Sequence, residues 1–210
     1  MPVQHALWKI GTPPTPLATG TLQNEQQLED MIVSAPEILS REWMLIGRQE
    51  PTGLGGRIDL LAIAPDASLV LIELKRNRTP REIVAQALDY ASWVEALTAD
   101  KIVQIYQRFS KGGNLGEAFQ KRFGAELDEE NLNKSHQILL VAAELDHSTE
   151  RIIGYLNQRD VAINVLFFQV FREVGLFGNQ NTVCQPSTQK WRHTIERLKT
   201  RFRNWDAQLG

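Results

Sequence analysis

Two stretches of this chain are almost wholly apolar, and each is interrupted by one acid. The first, Arg57, Ile58, Asp59, Leu60, Leu61, Ala62 and Ile63, carries Asp59 in oily company. The second, Leu69, Val70, Leu71, Ile72, Glu73, Leu74 and Lys75, has five apolar positions in seven. Such short continuous runs predict strands covered on both faces. Side chains alternate along a strand, so Glu73 and Lys75 share one side. The joining segment, residues 64–68, predicts a turn, because Pro65 fixes φ and Asp66 can bond its own backbone. A connection of five residues sets Asp59 opposite Glu73, with Cβ atoms about 4.5–5.5 Å apart. A connection of four would send the two acids to opposite faces.

The rest of the pattern predicts an α/β protein. Residues 1–22 read as an extended arm, since Pro13, Pro14 and Pro16 forbid a helix. Leu28, Met31, Ile32 and Ala35 give a helical stripe over residues 24–39, with Asn24 as cap. Residues 43–48 read as a first strand and Gly53–Gly56 as a flexible link. Thr79, Pro80 and Glu82 form a helix start, as N-cap, first and third positions, for a helix running to residue 97. Gln86 and Tyr90 share a face of it. A strand over 102–106 and a polar helix-and-loop insertion over 110–134 are expected next. Residues 137–143, 149–158 and 161–171 read as strand, helix and strand, a unit that favours a parallel pair. A basic helix is expected over 188–206. No internal repeat or domain boundary stands out, so residues 1–210 read as a single domain.

Composition narrows the class. The chain has 210 residues, 42% of them hydrophobic and 23% charged, as in an ordinary globule with a substantial core. The net charge of −2 argues against coating nucleic acid by bulk charge, though not against a local basic groove. Cys184 is the only cysteine, so no internal disulfide or cysteine-rich zinc site can form. With no basic leader followed by an apolar stretch and no run of about 18 apolar residues, a cytoplasmic protein without a membrane anchor is expected. His5, His136, His147 and His193 lack metal-ligand spacing, and the glycine-rich pieces lack a phosphate-loop pattern.

Acids in apolar strands are costly unless they pair or hold something. Two carboxylates brought face to face can share a hard cation such as Mg²⁺, which takes a few carboxylates plus water and phosphate oxygens. Lys75 beside them could equally form an ion pair with Glu73. Two basic clusters are candidates for gripping a polyanion. One is Lys75, Arg76, Arg78 and Arg81, and the other is Lys190, Arg192, Arg197, Lys199, Arg201 and Arg203.

The run Gly56-Arg57-Ile58-Asp59-Leu60-Leu61, the run Ile72-Glu73-Leu74-Lys75-Arg76 and the helix with Gln86 and Tyr90 resemble the PD-(D/E)XK nuclease core. More narrowly, they resemble the nuclease domain of the NucS/EndoMS endonucleases. The helix Glu25-Gln26-Gln27-Leu28-Glu29, Ala35-Pro36-Glu37-Ile38-Leu39, and the stretch Leu45-Ile46-Gly47-Arg48-Gln49-Glu50-Pro51-Thr52-Gly53 are similar to that domain's opening helix and lead-in strand. The resemblance covers roughly residues 21–175. It implies a restriction-endonuclease-like core, a mixed central sheet flanked by helices. By it Asp59, Glu73 and the Leu74 carbonyl would bind Mg²⁺ or Mn²⁺. Lys75 would orient the attacking water, Gln86 and Tyr90 would flank the site, and Glu25, with Glu29 as competitor, would be the helix carboxylate. From the two basic clusters, Arg76, Arg78, Arg81, Lys190, Arg192 and Arg197 are expected to contact DNA, double- or single-stranded, branched or mismatched, with a solvated face as the alternative for the last helix. Those enzymes carry a further N-terminal DNA-binding and dimerisation domain for which no counterpart is expected here, and Gly56, not a proline, stands before the Arg-Ile-Asp run, a substitution common in this superfamily.

The resemblance thus implies a Mg²⁺-dependent endodeoxyribonuclease in repair or in restriction and defence, with paired cleavage calling for a homodimer. Two other readings stay open on residues alone. One is a nucleic-acid-binding module that kept the fold without the chemistry. The other is an interaction protein whose strand-end charges form an ion pair. Taken singly, Glu25 and Glu29 each read as solvated helix acids, and Tyr90 as a core residue with its hydroxyl at the surface.

Overall fold

A computed structural model describes residues 7–10, 12–53, 55–79, 81–174 and 180–187. In chain order the strands are β1 (Trp8–Lys9), β2 (Thr15–Pro16), β3 (Ala18–Gly20), β4 (Met44–Pro51), β5 (Arg57–Ile63), β6 (Leu69–Thr79), β7 (His136–Leu145), β8 (Ile163–Val174) and β9 (Gln180–Ser187). The helices are α1 (Glu25–Ser34), α2 (Glu82–Glu95), α3 (Ala99–Phe109), α4 (Leu115–Phe123) and α5 (His147–Asn157).

The expected α/β class holds, with a mixed central sheet flanked by helices. Its strands run in the order β3-β8-β7-β6-β5-β4, with β9 also pairing β8. The β4, β5 and β6 strands are antiparallel neighbours, whereas β6, β7 and β8 are parallel. The central strands are apolar on both faces because both are covered. On one face α2, α3, α4 and α5 bring Ile83, Ala87, Val94, Ile105, Phe119 and Ile153 onto Leu61, Leu71 and Leu140. On the other, Leu28 and Ile32 of α1 pack with Leu60, Val70, Ile72 and Val141.

The five-residue connection forms as the turn chemistry requires. Asp66 Oδ1 accepts from the Ser68 N–H at 3.0 Å, and the Ala64 N–H donates to the Ser68 carbonyl at 2.9 Å. Ile63 consequently pairs with Leu69 and Leu60 with Ile72, so the next step sets Asp59 against Glu73. Asn24 caps α1, its side chain accepting from the Gln27 N–H at 2.8 Å.

Several expectations are corrected. The first helix stops at Ser34, because Pro36 cannot continue it, and a short 3-10 turn over Pro36–Ile38 follows. Residues 102–106 are helical within α3; Thr98 caps that helix, and Ile102 and Ile105 face the core at helical spacing. Thr79 is not a cap: the parallel ladder with β7 carries β6 to Thr79, past an irregularity between Lys75 and Arg78. Accordingly α2 begins at Glu82 with Arg81 as N-cap and no side-chain cap bond. The arm is not merely extended, since β3 joins the sheet against β8 and Leu22 is buried. The pattern also gave no warning of β9, which holds Cys184. The expected basic helix lies outside the described residues. Among the described residues no helix is long and apolar enough to cross a membrane.

Candidate active site

The antiparallel ladder between β5 and β6 ends at Leu60 and Ile72, and the strands part there. At that fork Asp59 and Glu73 approach each other. The Leu74 N–H, released from the ladder, donates to Asp59 Oδ2 at 2.8 Å. A carboxylate thereby takes the place of a strand carbonyl, which fixes Asp59 to the backbone of the neighbouring strand.

The electrostatics of the pair are unfavourable as they stand. Glu73 is 1% exposed. Burial chiefly, and then the charge of Asp59, pushes its carboxyl up to about 8; Lys75 and the Asp59 main-chain amide oppose this. Its Oε1 is buried and has no hydrogen-bond partner among the described residues. Asp59 is also raised, mainly by burial, against the Leu74 amide and Lys75. A buried acceptor left unmade costs about 1–3 kcal/mol.

The opening helix supplies the third acid. Glu25 Oε2 lies 3.8 Å from Lys75 Nζ, and its Oε1 accepts from the Arg76 N–H at 3.4 Å. Lys75 thus pairs with Glu25 and lies close enough to influence both strand acids. The Arg76 guanidinium does not project freely: Nη1 donates to the carbonyls of Leu22 and Gln23 at the entrance to α1. Arg81 is exposed and pairs with Glu82 at 3.2 Å. The Arg78 side chain, and all of Lys190, Arg192 and Arg197, lie outside the described residues.

Gln86 and Tyr90 close the other side. Tyr90 Oη accepts from Gln86 Nε2 at 3.0 Å and from the Arg57 N–H at 3.2 Å, two residues before Asp59. The Tyr90 ring lies so close to Gly56 that a Cβ there would fall 2.5 Å from a ring carbon. Glycine at position 56 is therefore a condition for Tyr90 to bond the Arg57 amide.

Sequence reasoning missed the deepest part of the cluster. Glu29, read as a solvated acid when taken singly and as the competitor of Glu25 for the helix carboxylate, is 3% exposed, with Oε1 held by Arg48 Nε at 2.5 Å. Gln49, level with Asp59 in the β4–β5 pairing, donates Nε2 to Glu29 Oε2 at 2.9 Å and to Asp59 Oδ1 at 3.2 Å. The available signal was a polar Arg48-Gln49-Glu50 following the apolar start of a strand.

Among the described residues no group of three or more His, Cys, Asp or Glu side chains is arranged to hold a metal. Two facing carboxylates with an unpartnered buried oxygen do suit a hard cation that keeps several of its waters. The donor set fits Mg²⁺ or Mn²⁺ and is wrong for a thiophilic ion.

Residues 24–109 match the family described as the endonuclease NucS C-terminal domain. The match contains Glu25, Gln49, Asp59, Glu73, Lys75, Gln86 and Tyr90. Among solved structures the chain is similar to a repair endonuclease from Pyrococcus abyssi, at 17% identity over 71% of this chain and 50% of that one, with a TM-score of 0.42. It is also similar to EndoMS in a complex with double-stranded DNA, at 14% identity over 78% of this chain and 64% of that one, TM-score 0.44. EndoMS in apo form gives 15% identity over the same shares, TM-score 0.40. The chain thus spans between half and just under two thirds of the length of these structures. No curated protein matches it.

Proposed function

We propose that this chain, similar over residues 24–109 to the endonuclease NucS C-terminal domain, is a divalent-metal-dependent endonuclease that hydrolyses phosphodiester bonds in DNA. The observation that carries the reading is the pair Asp59 and Glu73 at the strand fork, with Glu73 Oε1 buried and unpartnered among the described residues. No group among the described residues satisfies that oxygen, and a hard cation would.

Asp59, Glu73 and the Leu74 carbonyl would hold Mg²⁺ or Mn²⁺. Bound there, such an ion lowers the pKa of a water and offsets the charge that gathers on a phosphate in the transition state. The chain's own residues do the rest. Lys75, restrained by Glu25, holds the attacking water and donates to the scissile phosphate. Tyr90 accepts two hydrogen bonds and so keeps its own hydroxyl hydrogen for a phosphate oxygen, with Gln86 fixing the phenol. Arg81, exposed beside α2, together with Arg78 and the basic residues 190–203, would track the DNA backbone. Repair, restriction or defence, a second copy in a homodimer and a cytoplasmic site of action all belong to this proposal.

The test is incubation of the chain with plasmid, duplex, single-stranded, branched and mismatched DNA in Mg²⁺ or Mn²⁺. Cleavage is expected with metal, none in EDTA, and none from Glu73→Ala or Asp59→Ala. Cleavage that persists in Glu73→Ala would assign the activity to a contaminant. A salt-dependent shift of DNA without cutting would identify a binding module that has kept the fold alone.

A further inference from the structure

We propose that Gln49 is the positioning residue of the site, fixing the Asp59 carboxylate for a divalent cation by tying it to the buried Glu29. The inference deepens the nuclease reading and rests on it.

Its first support is backbone geometry. Gln49 has φ +52° within β4, while its neighbours stay paired, Arg48 with Leu60 and Glu50 with Ile58. The other described non-glycine residues with positive φ are Ala67, Lys111, Asn133 and Asp160, all in turns or bends. Such a conformation inside a strand costs about 1–3 kcal/mol and persists only where the surroundings over-determine it. Glutamine has no local preference that would explain it, unlike asparagine or aspartate.

Its second support is what the side chain does there. One Nε2 serves two carboxylates, Asp59 Oδ1 and Glu29 Oε2. A carboxamide is the neutral group with two N–H donors on one atom, which matches that task. Its oxygen could not face either acid, so the amide orientation is fixed by its partners. Glutamate in its place would add a further carboxylate to an already repulsive cluster.

The third support is the anchor. Glu29 is itself immobilised by Arg48 Nε, and the Arg48 guanidinium also pairs with Asp30 one residue along α1. Helix α1, β4 and the Asp59 strand are therefore joined through one chain of charge-assisted bonds. Asp59 is held at Oδ1 by Gln49 and at Oδ2 by the Leu74 amide, and each oxygen keeps acceptor capacity for a cation. Partners of this kind are worth about 10–100-fold in metal affinity where they have been removed.

The experiment uses the full chain stripped of metal. Mn²⁺ affinity is measured by electron paramagnetic resonance, alongside thermal unfolding, for wild type, Gln49→Asn, Gln49→Gly and Asp59→Asn. Asparagine and glycine both accept the left-handed backbone, but neither can reach the two acids. Both Gln49 variants are expected to fold and to bind Mn²⁺ about 10-fold or more weakly. In cleavage assays kcat should fall with KM for DNA unchanged. Wild-type affinity in both Gln49 variants, with binding lost in Asp59→Asn, overturns the positioning role and leaves the nuclease reading standing. Unfolding of both Gln49 variants overturns it too, in favour of a structural role. If wild type itself takes up no Mn²⁺, the nuclease reading falls and this inference with it.

Discussion

At the scale of single residues, Glu73 states the conflict on which the site is built. Its carboxyl is about 8 in the fold against an ordinary 4.5, so between these values the native state holds a proton that the unfolded chain gives up. The unfolding free energy then falls as pH rises from about 4.5 to about 8, and Asp59, shifted the same way, adds to the slope. Glu73→Gln mimics the protonated form and removes its share. Urea midpoints in EDTA at several pH values should show the variant gaining on wild type toward pH 8; a constant difference would mean that Glu73 is not perturbed. Gly56 offers a steric test of the same centre. Gly56→Ala sets a methyl group against Tyr90, and accommodating it costs about 1–3 kcal/mol. Tyr90→Leu in the Gly56→Ala background should recover part of that loss in thermal unfolding, whereas an additive double variant would place the strain elsewhere.

At the scale of elements, what the sequence revealed depended on whether the signal was local. The Asp59 and Glu73 strands, the five-residue turn and the Asn24 cap were readable because continuous apolar runs, Pro65-Asp66 and a polar N-cap each act over a few residues. Residues 102–106 misled because Ile102, Val103, Ile105 and Tyr106 satisfy a short strand pattern when read alone, and the helix shows only once the Thr98 cap and the apolar spacing out to Phe109 are read together. The Gln49 bridge was hidden for another reason. Its partners lie 10 and 20 residues away, and a left-handed backbone inside a strand leaves no compositional trace. The cap of α1 is a checkable link between element and site, since that helix carries Glu25 to Lys75 and Glu29 to Gln49. Asn24→Ala removes the acceptor for the Gln27 N–H and should cost about 1 kcal/mol. The urea midpoint should drop with its slope unchanged; a changed slope would mean that the unfolded state, not the cap, had responded.

At the scale of the whole molecule, the sheet fixes where two acids can be forced together and the rest of the fold sustains the cost. Helices cover both faces of β5 and β6 up to the fork, so Asp59 and Glu73 cannot separate without unpacking α1 or α2. A cation that neutralises the pair should therefore stabilise the entire chain, not a loop. On the proposed function, Mn²⁺ at about 100 times its Kd adds about 2.7 kcal/mol, which for a chain of this size raises Tm by about 5–10 °C. Because the ion replaces the proton on Glu73, its affinity should climb by up to about tenfold per pH unit below about 8 and then level off. The Tm increment at fixed metal should grow with pH in the same interval, although the metal-free protein is losing stability there. Ca²⁺, equally hard but larger, should reproduce the thermal shift through the same oxygens, and Glu73→Ala should abolish it for both ions. A thermal shift that survives in that variant, or that shrinks as pH rises, would place the cation somewhere other than between the two strands.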